Sequence, residues 1–218
     1  MPAMKIGIPI YDKVDLLDVA APREMFFVMK DCVPEVEVHL LSADGCGVVT
    51  RDGMTIGAEM AFADAPRLDV LWVPGGDPSA LDALMHDPAR VYLDFLIGAS
   101  KHARYVASVC EGALLLAAAG LLDGYEATTH WAFIPCLKQF PAVRVVQGYP
   151  RFVVDRNRVT GGGISSGLDE ALKMIELLSS YKAAQHVQQF TQYYPAPPVA
   201  SVIPPAGACP MGVITRSL

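Results

Sequence analysis

A cysteine at the junction of a buried strand and a buried helix can act as a nucleophile, and Cys110 occupies such a place. In Tyr105-Val-Ala-Ser-Val-Cys-Glu-Gly-Ala113 an apolar strand runs into Cys110, Gly112 follows two residues later, and an apolar helix begins at once. That order is the signature of a nucleophile elbow, a strained turn that projects a side chain from the carboxyl end of a sheet. A side chain at position 112 would crowd the neighbouring strand or the approaching substrate. The helix N-terminus beside Cys110 favours thiolate over thiol. Most free cysteines are simply buried structural residues. The adjoining Glu-Gly, the immediate helix and the lack of a disulfide partner favour the nucleophile here.

Other residues could assist. Pro74-Gly75-Gly76-Asp77 ends a buried strand, where α/β sheets bind ligands. Gly75 and Gly76 could offer backbone N–H groups to an anionic intermediate, or form an ordinary turn. Asp18, an acid set among Leu16, Leu17 and Val19, fits equally a helix N-cap or a carboxyl group exchanging protons beside Cys110. His130, in Thr128-Thr129-His130-Trp131, reads as an imidazole near the sulfur or, more commonly, a histidine at a helix start. Glu111 gains from the helix terminus but adds negative charge next to the thiolate; binding substrate and facing away both remain open. His39, His86, His102 and His186 carry no pattern of their own.

Positioning these groups requires alternating strands and helices. Lys5–Ile10 reads as the first strand and Leu16–Lys30 as an amphipathic helix, with Pro22 near its first turn. Glu37–Ser42 is a second strand. Val48–Thr50 and Met54–Gly57 form a hairpin around Asp52-Gly53. Asp69–Val73 and Arg104–Val109 are buried strands, and helices are expected near Ser79–Met85 and over Pro88–Ser100. Glu111–Leu122 is apolar almost all round, a central helix stopped by Gly124. Thr160-Gly-Gly-Gly163 leads into a helix from Ser165 to about Tyr181, with Ser165 or Ser166 as N-cap and Glu170 in its first turns. Lys182–Tyr193 is a last helix. The pattern is α/β: one domain with a mostly parallel sheet covered by helices on both faces, spanning 1–194. Residues 195–218 form a Pro-rich tail or arm, either packed down or loose.

Composition agrees. The chain has 218 residues, enough for one large core, with 52% hydrophobic and 18% charged residues, which excludes disorder for most of its length. Seventeen basic against 23 acidic residues give a net charge of −6, which argues against nucleic acid as partner. No segment reads as a signal peptide or membrane span, so a cytoplasmic location is expected. Cys32, Cys46, Cys110, Cys136 and Cys209 form no CxxC pair and are odd in number, as expected of free thiols in a reducing compartment; they suggest no metal site.

With Cys110 in that turn, the chain resembles the ThiJ/PfpI superfamily, and within it the isocyanide hydratases. The matching stretches are Ile6-Gly7 with Leu17-Asp18 and Pro22, Val73-Pro-Gly-Gly76, Ser108-Val-Cys110 and Ala118-Ala-Gly-Leu-Leu122. Ala127-Thr-Thr-His-Trp-Ala132, Thr160-Gly-Gly-Gly-Ile164, Gly167-Leu-Asp169 and Tyr194-Pro-Ala-Pro-Pro198 also match. The resemblance implies a flavodoxin-like fold, similar to class I glutamine amidotransferases, and a homodimer with no metal and no organic cofactor. It implies that Cys110 attacks the terminal carbon of an isocyanide and that the thioimidate is hydrolysed to an N-formamide. Asp18 matches the acid that protonates the intermediate and helps activate water; Gly75 and Gly76 match the loop beside the nucleophile. The family usually has Thr after the cysteine, where this chain has Glu111. The chain ends soon after its Pro-rich stretch, without the DNA-binding domain of some related regulators.

Two other chemistries fit the same cysteine. A glyoxalase or deglycase would use Cys110 on a reactive carbonyl, with His130 or Glu111 as acid–base group. A redox sensor would expose a low-pKa Cys110 to peroxide and would not require Asp18.

Overall fold

The segment Met4–Pro9, with its last four residues buried, forms β1 in the interior of the sheet; the computed structural model describes residues 3–214. Met1, Pro2 and residues 215–218, the two ends of the expected domain and tail, lie outside the described residues. After β1 come α1 (Leu16–Val28), β2 (Val36–Ser42), β3 (Val48–Val49), β4 (Thr55–Ile56), β5 (Met60–Ala61) and β6 (Val70–Val73). Then follow α2 (Pro78–Met85), α3 (Val91–Ser100), β7 (Tyr105–Ser108) and α4 (Gly112–Ala118). The last part comprises β8 (Glu126–Ala127), α5 (Ile134–Leu137), β9 (Arg144–Val145), β10 (Phe152–Asp155), β11 (Arg158–Gly161), α6 (Ser166–Leu178) and α7 (Tyr181–Phe190).

Seven strands form the main sheet in the order β10-β11-β7-β6-β1-β2-β5, parallel except for the β10–β11 pair at one edge. Parallel strands covered on both faces bury both sets of side chains, and Val70, Leu71, Trp72 and Val73 of β6 are all fully buried. Helix α4 is buried at every residue, as its all-round apolar sequence requires. It ends at Ala118 rather than Leu122, and Gly120 (φ 76°) turns the chain away. The hairpin around Asp52-Gly53 is present as the β3–β4 pair, with Gly53 at φ 90°.

Several expectations need correction. Pro22 sits in the interior of α1, not in its first turn. A proline there leaves the carbonyl of Asp18 without its helical donor; the Trp72 indole N–H supplies one, at 3.2 Å. Ser165 holds the N-cap position of α6, but its side chain makes no cap bond and instead accepts from Arg151 at 2.9 Å. Strands β8 to β11 escaped the sequence reading because they are short and, at β10–β11, turn through Arg156 (φ 54°) rather than glycine. The five cysteines are not all free thiols: Cys136 and Cys209 form a disulfide, leaving Cys32, Cys46 and Cys110 free. With one disulfide present, the cysteines no longer point to a reducing compartment. Among the described residues no helix is long and apolar enough to cross a membrane.

Beyond α7 the described chain has no further helix or strand, in keeping with its prolines. It is nevertheless fastened to the body: Gln139 bonds to Gly212 and Ile214 by both ends of its amide, and Ile214 is buried.

Candidate functional site

Four chain segments meet at the carboxyl ends of neighbouring strands. Beyond β1 lie Asp15 and Asp18, beyond β6 Gly75 and Gly76, beyond β7 Cys110 and Glu111, and beyond β11 Gly162. This is where parallel sheets leave room for ligands.

Cys110 has φ 55°, a left-handed conformation unusual for a residue with a side chain. Such a residue costs on the order of 1–3 kcal/mol and persists only where its surroundings impose it. Here its N–H donates to Gly162 O at 2.9 Å and its carbonyl accepts from Thr129 Oγ1 at 2.7 Å. Gly112 is needed for the reason read from sequence: a Cβ there would strike the Val73 carbonyl of β6. At Gly75 a Cβ would lie 2.8 Å from Cys110 Cβ and 2.6 Å from Glu111 Oε2, so this glycine makes room for the cysteine.

The first helical turn brings Asp15 and Asp18, three residues apart, to one face. Asp18 is fully buried; its Oδ2 accepts the Gly75 N–H at 2.9 Å, and its Oδ1 has no hydrogen-bond partner. Asp18 is therefore no N-cap, and Gly75 spends its N–H on Asp18 rather than facing a reaction intermediate. Gly76 is held by an antiparallel bridge to Val14. Asp15, which carries one arm of an ion pair with Arg51 at 2.9 Å, was missed from sequence; its three-residue spacing from Asp18 is the signal that could have found it. The β3–β4 hairpin places Arg51, its backbone N–H bonded to Val14 O at 3.0 Å.

One ligand atom each from Asp15, Asp18, Cys110 and Glu111 lies within 4.8 Å of the others. Three carboxyls and a thiol in so little space repel one another when ionised. Burial, then the neighbouring Glu111 and Asp15, push Asp18 well above the usual carboxylate range. Burial raises Glu111 to about 7, against its hydrogen bond with the Cys110 thiol. Burial, Asp18 and Glu111 likewise push the Cys110 thiol up. Each of these groups therefore holds its proton to a higher pH than it would in water. The expectation of an exposed, low-pKa thiolate is thus corrected: Cys110 is 1% exposed, and burial, then the acids around it, push its thiol up.

His130 lies 3.9 Å from Glu111 through Nδ1, but that nitrogen accepts the Ala132 N–H at 3.3 Å, and burial lowers its pKa. It is a neutral neighbour, not a cationic partner. Thr128 N donates to Thr160 Oγ1 of β11 at 2.9 Å, which fixes the Thr128-Thr129-His130 segment. Thr129, through its bond to Cys110, is a second site residue that sequence reasoning left unassigned. Glu170 is also fully buried beside Gly161, its carboxyl raised by burial and by Asp18, and neither oxygen has a hydrogen-bond partner.

A pocket of about 410 Å³ opens beside this cluster, at Thr129 and Gly162. Leu17, Thr129, His130, Gly162 and Gly163 belong to its lining, with Tyr149, Arg151 and Ile203 further out. Cys110 itself does not line it, but Thr129 and Gly162 are bonded to its backbone.

The chain is 40% identical to the isonitrile hydratase of Pseudomonas putida over 202 residues, 93% of this chain and 84% of that one. It is 34% identical to the HTH-type transcriptional regulator GbdR of Pseudomonas aeruginosa, but over only 36% of the regulator's length. A crystal structure of a ThiJ/PfpI family protein from Pseudomonas syringae superposes with a TM-score of 0.82 at 33% identity, covering 91% of this chain and 78% of that one. The DJ-1/PfpI family pattern matches residues 4–177, and the chain belongs to that family.

Proposed function

We propose that the protein hydrates isocyanides, R–N≡C, to N-formamides, with Cys110 as nucleophile and Asp18 as the acid that serves it. The observation that carries this reading is the buried Asp18 carboxyl, pinned by the Gly75 N–H with its second oxygen free, inside the cluster that holds Cys110 Sγ. The likeness to an isonitrile hydratase supports it.

The sulfur attacks the terminal carbon and forms the S–C bond. The thiol proton passes to Glu111, whose carboxyl titrates near neutral pH, and Asp18 delivers a proton to the same carbon, giving the thioimidate R–N=CH–S. Water then adds across the C=N bond, activated by the carboxylate that Asp18 has become. Asp18 keeps one proton of that water and Glu111 gives its proton to the nitrogen; the C–S bond then breaks as the hydroxyl proton passes to the sulfur, the thiol is restored, and R–NH–CHO leaves. The sum is one isocyanide plus one water, needing no metal and no organic cofactor. His130, in the pocket lining, borders the substrate, and a homodimer is the working form that the family resemblance suggests.

A nearly enclosed sulfur suits this substrate class, because the isocyanide head is a linear rod that needs only a narrow passage. It suits a peroxide sensor poorly, since such a thiol is exposed and of low pKa. The test incubates purified protein with a simple alkyl isocyanide and follows formamide, with mass spectrometry of the Cys110 peptide. Formamide from the wild type and none from Cys110→Ala is expected; undiminished turnover in that variant removes the proposal. Consumption of methylglyoxal without isocyanide turnover selects the glyoxalase chemistry instead.

A further inference from the structure

The C-terminal arm touches the site from a direction the reaction does not explain. Ile203 lies in the lining of the pocket that adjoins Cys110 through Thr129 and Gly162, together with Leu17, His130 and Tyr149. Its neighbour Val202 is 89% exposed while Ile203 is 53% exposed, so the apolar side chain turned toward the pocket is Ile203. Three fastenings hold the arm there. Tyr149 Oη accepts the Ala206 N–H at 3.0 Å, Cys209 is bonded covalently to Cys136, and Gln139 grips Gly212 and Ile214. Cys136 is fully buried in the body of the protein, so the disulfide ties the arm to a rigid point.

The sequence of the arm is suited to that task. Pro204 and Pro205 follow Ile203, and a residue before proline is confined to extended backbone while each proline fixes its own φ. Five residues separate Ile203 from Cys209, and the six steps between them reach at most roughly 20 Å. A short, stiffened segment anchored at one end returns to nearly the same place, where a flexible tail would sweep through solvent.

We infer that the arm is a wall of the substrate pocket: Ile203 sets the size of the group R that fits, and the Cys136–Cys209 disulfide is the anchor that keeps this wall in place. A dithiol reductant would release it, donating two electrons and two protons to cleave the S–S bond into two thiols while becoming a disulfide itself. The inference about R rests on the proposed isocyanide chemistry; the wall beside Cys110 does not.

Two measurements separate them. Alkylation of Cys110 by small iodoacetamide and by a bulky maleimide is followed on the Cys110 peptide, since Cys32 and Cys46 also react. Wild type, dithiol-reduced wild type, Cys209→Ser and Ile203→Ala are compared. Faster reaction with the bulky reagent in the last three, with a smaller change for iodoacetamide, is expected. For isocyanides, Ile203→Ala should improve kcat/KM for a bulky R relative to a small one by about tenfold, the range for methylene-scale changes in an apolar pocket. Unchanged alkylation and unchanged size preference across the variants would overturn the inference. Altered alkylation with no isocyanide turnover by any form leaves the wall standing and sinks the hydratase reading.

Discussion

Asp18 and Asp155 are the same residue type in opposite electrostatic settings. Asp18, on α1, is fully buried, takes one backbone N–H, and feels Glu111 and Asp15 more strongly than the cation Arg51. Asp155, at the end of β10, is half-buried and accepts from the Glu126 N–H at 2.8 Å, Arg156 at 3.0 Å and Arg144 at 3.3 Å. Those donors pull it down to about 2, while burial drives Asp18 up. Where cations and water are supplied, the carboxylate stays an ion and joins two strands to a loop. Where water is withheld and acids outnumber the one nearby cation, the proton is held to higher pH, where chemistry can use it. A perturbed pKa therefore marks a candidate site only when geometry and the sign of the shift agree.

The largest contrast is in turnover. Asp18→Asn removes the proton donor yet preserves shape, and isocyanide hydration should fall by about 10²- to 10⁴-fold, the usual worth of a positioned acid. Asp155→Asn should leave the rate essentially unchanged. Formamide assays on the two variants side by side check this, and equal losses would erase the distinction between the regions.

Next in size is the dependence of stability on pH, which has opposite signs in the two places. Folded Glu111 holds its proton to about pH 7, while its ordinary value is 4.5. Across that interval unfolding releases a proton, so stability is full below 4.5 and falls as pH rises through 7. The gap corresponds to roughly 3 kcal/mol. Asp155, held down to about 2, stabilises above its ordinary 3.8 and loses that contribution as pH falls toward 2. Urea unfolding of wild type and Glu111→Gln at pH 5 and pH 8 should show a flatter profile for the variant. Asp155→Asn should flatten only the acid end. Within the proposed reaction, Glu111→Gln should also abolish a limb near pH 7 in the rate profile.

What the sequence made legible follows from how local each signal is. The turn at Cys110 and the need for Gly112 depend on neighbours a few residues away and on strand–helix packing, and both appear as read. Asp18 was legible as an oddity, an acid among leucines, but its partner Gly75 is 57 residues off. That distance hid the fact that the glycine N–H holds the acid instead of an intermediate. The state of the Cys110 thiol was misread because the helix terminus is a local feature, while Asp15 and Asp18 arrive from another strand. The Cys136–Cys209 bond spans 73 residues and has no spacing pattern to announce it. Arms and edge strands such as β10, with polar turns and few residues, carry too little periodicity to be told from loops.

The smallest expected effect concerns how Asp18 is held. Asp155 is fixed by side chains that salt can screen; Asp18 is fixed through its own backbone, whose carbonyl Pro22 leaves free for the Trp72 indole. Replacing a proline in an ordinary helix interior by alanine gains about 3 kcal/mol. In Pro22→Ala the new N–H competes with Trp72 for one carbonyl, and a buried donor left without a partner costs about 1–3 kcal/mol. The two contributions should nearly cancel, leaving the unfolding midpoint close to that of the wild type. A gain approaching the full helical value would mean that the indole bond does nothing to set the position of Asp18. The contrast with Asp155 would then reduce to burial alone.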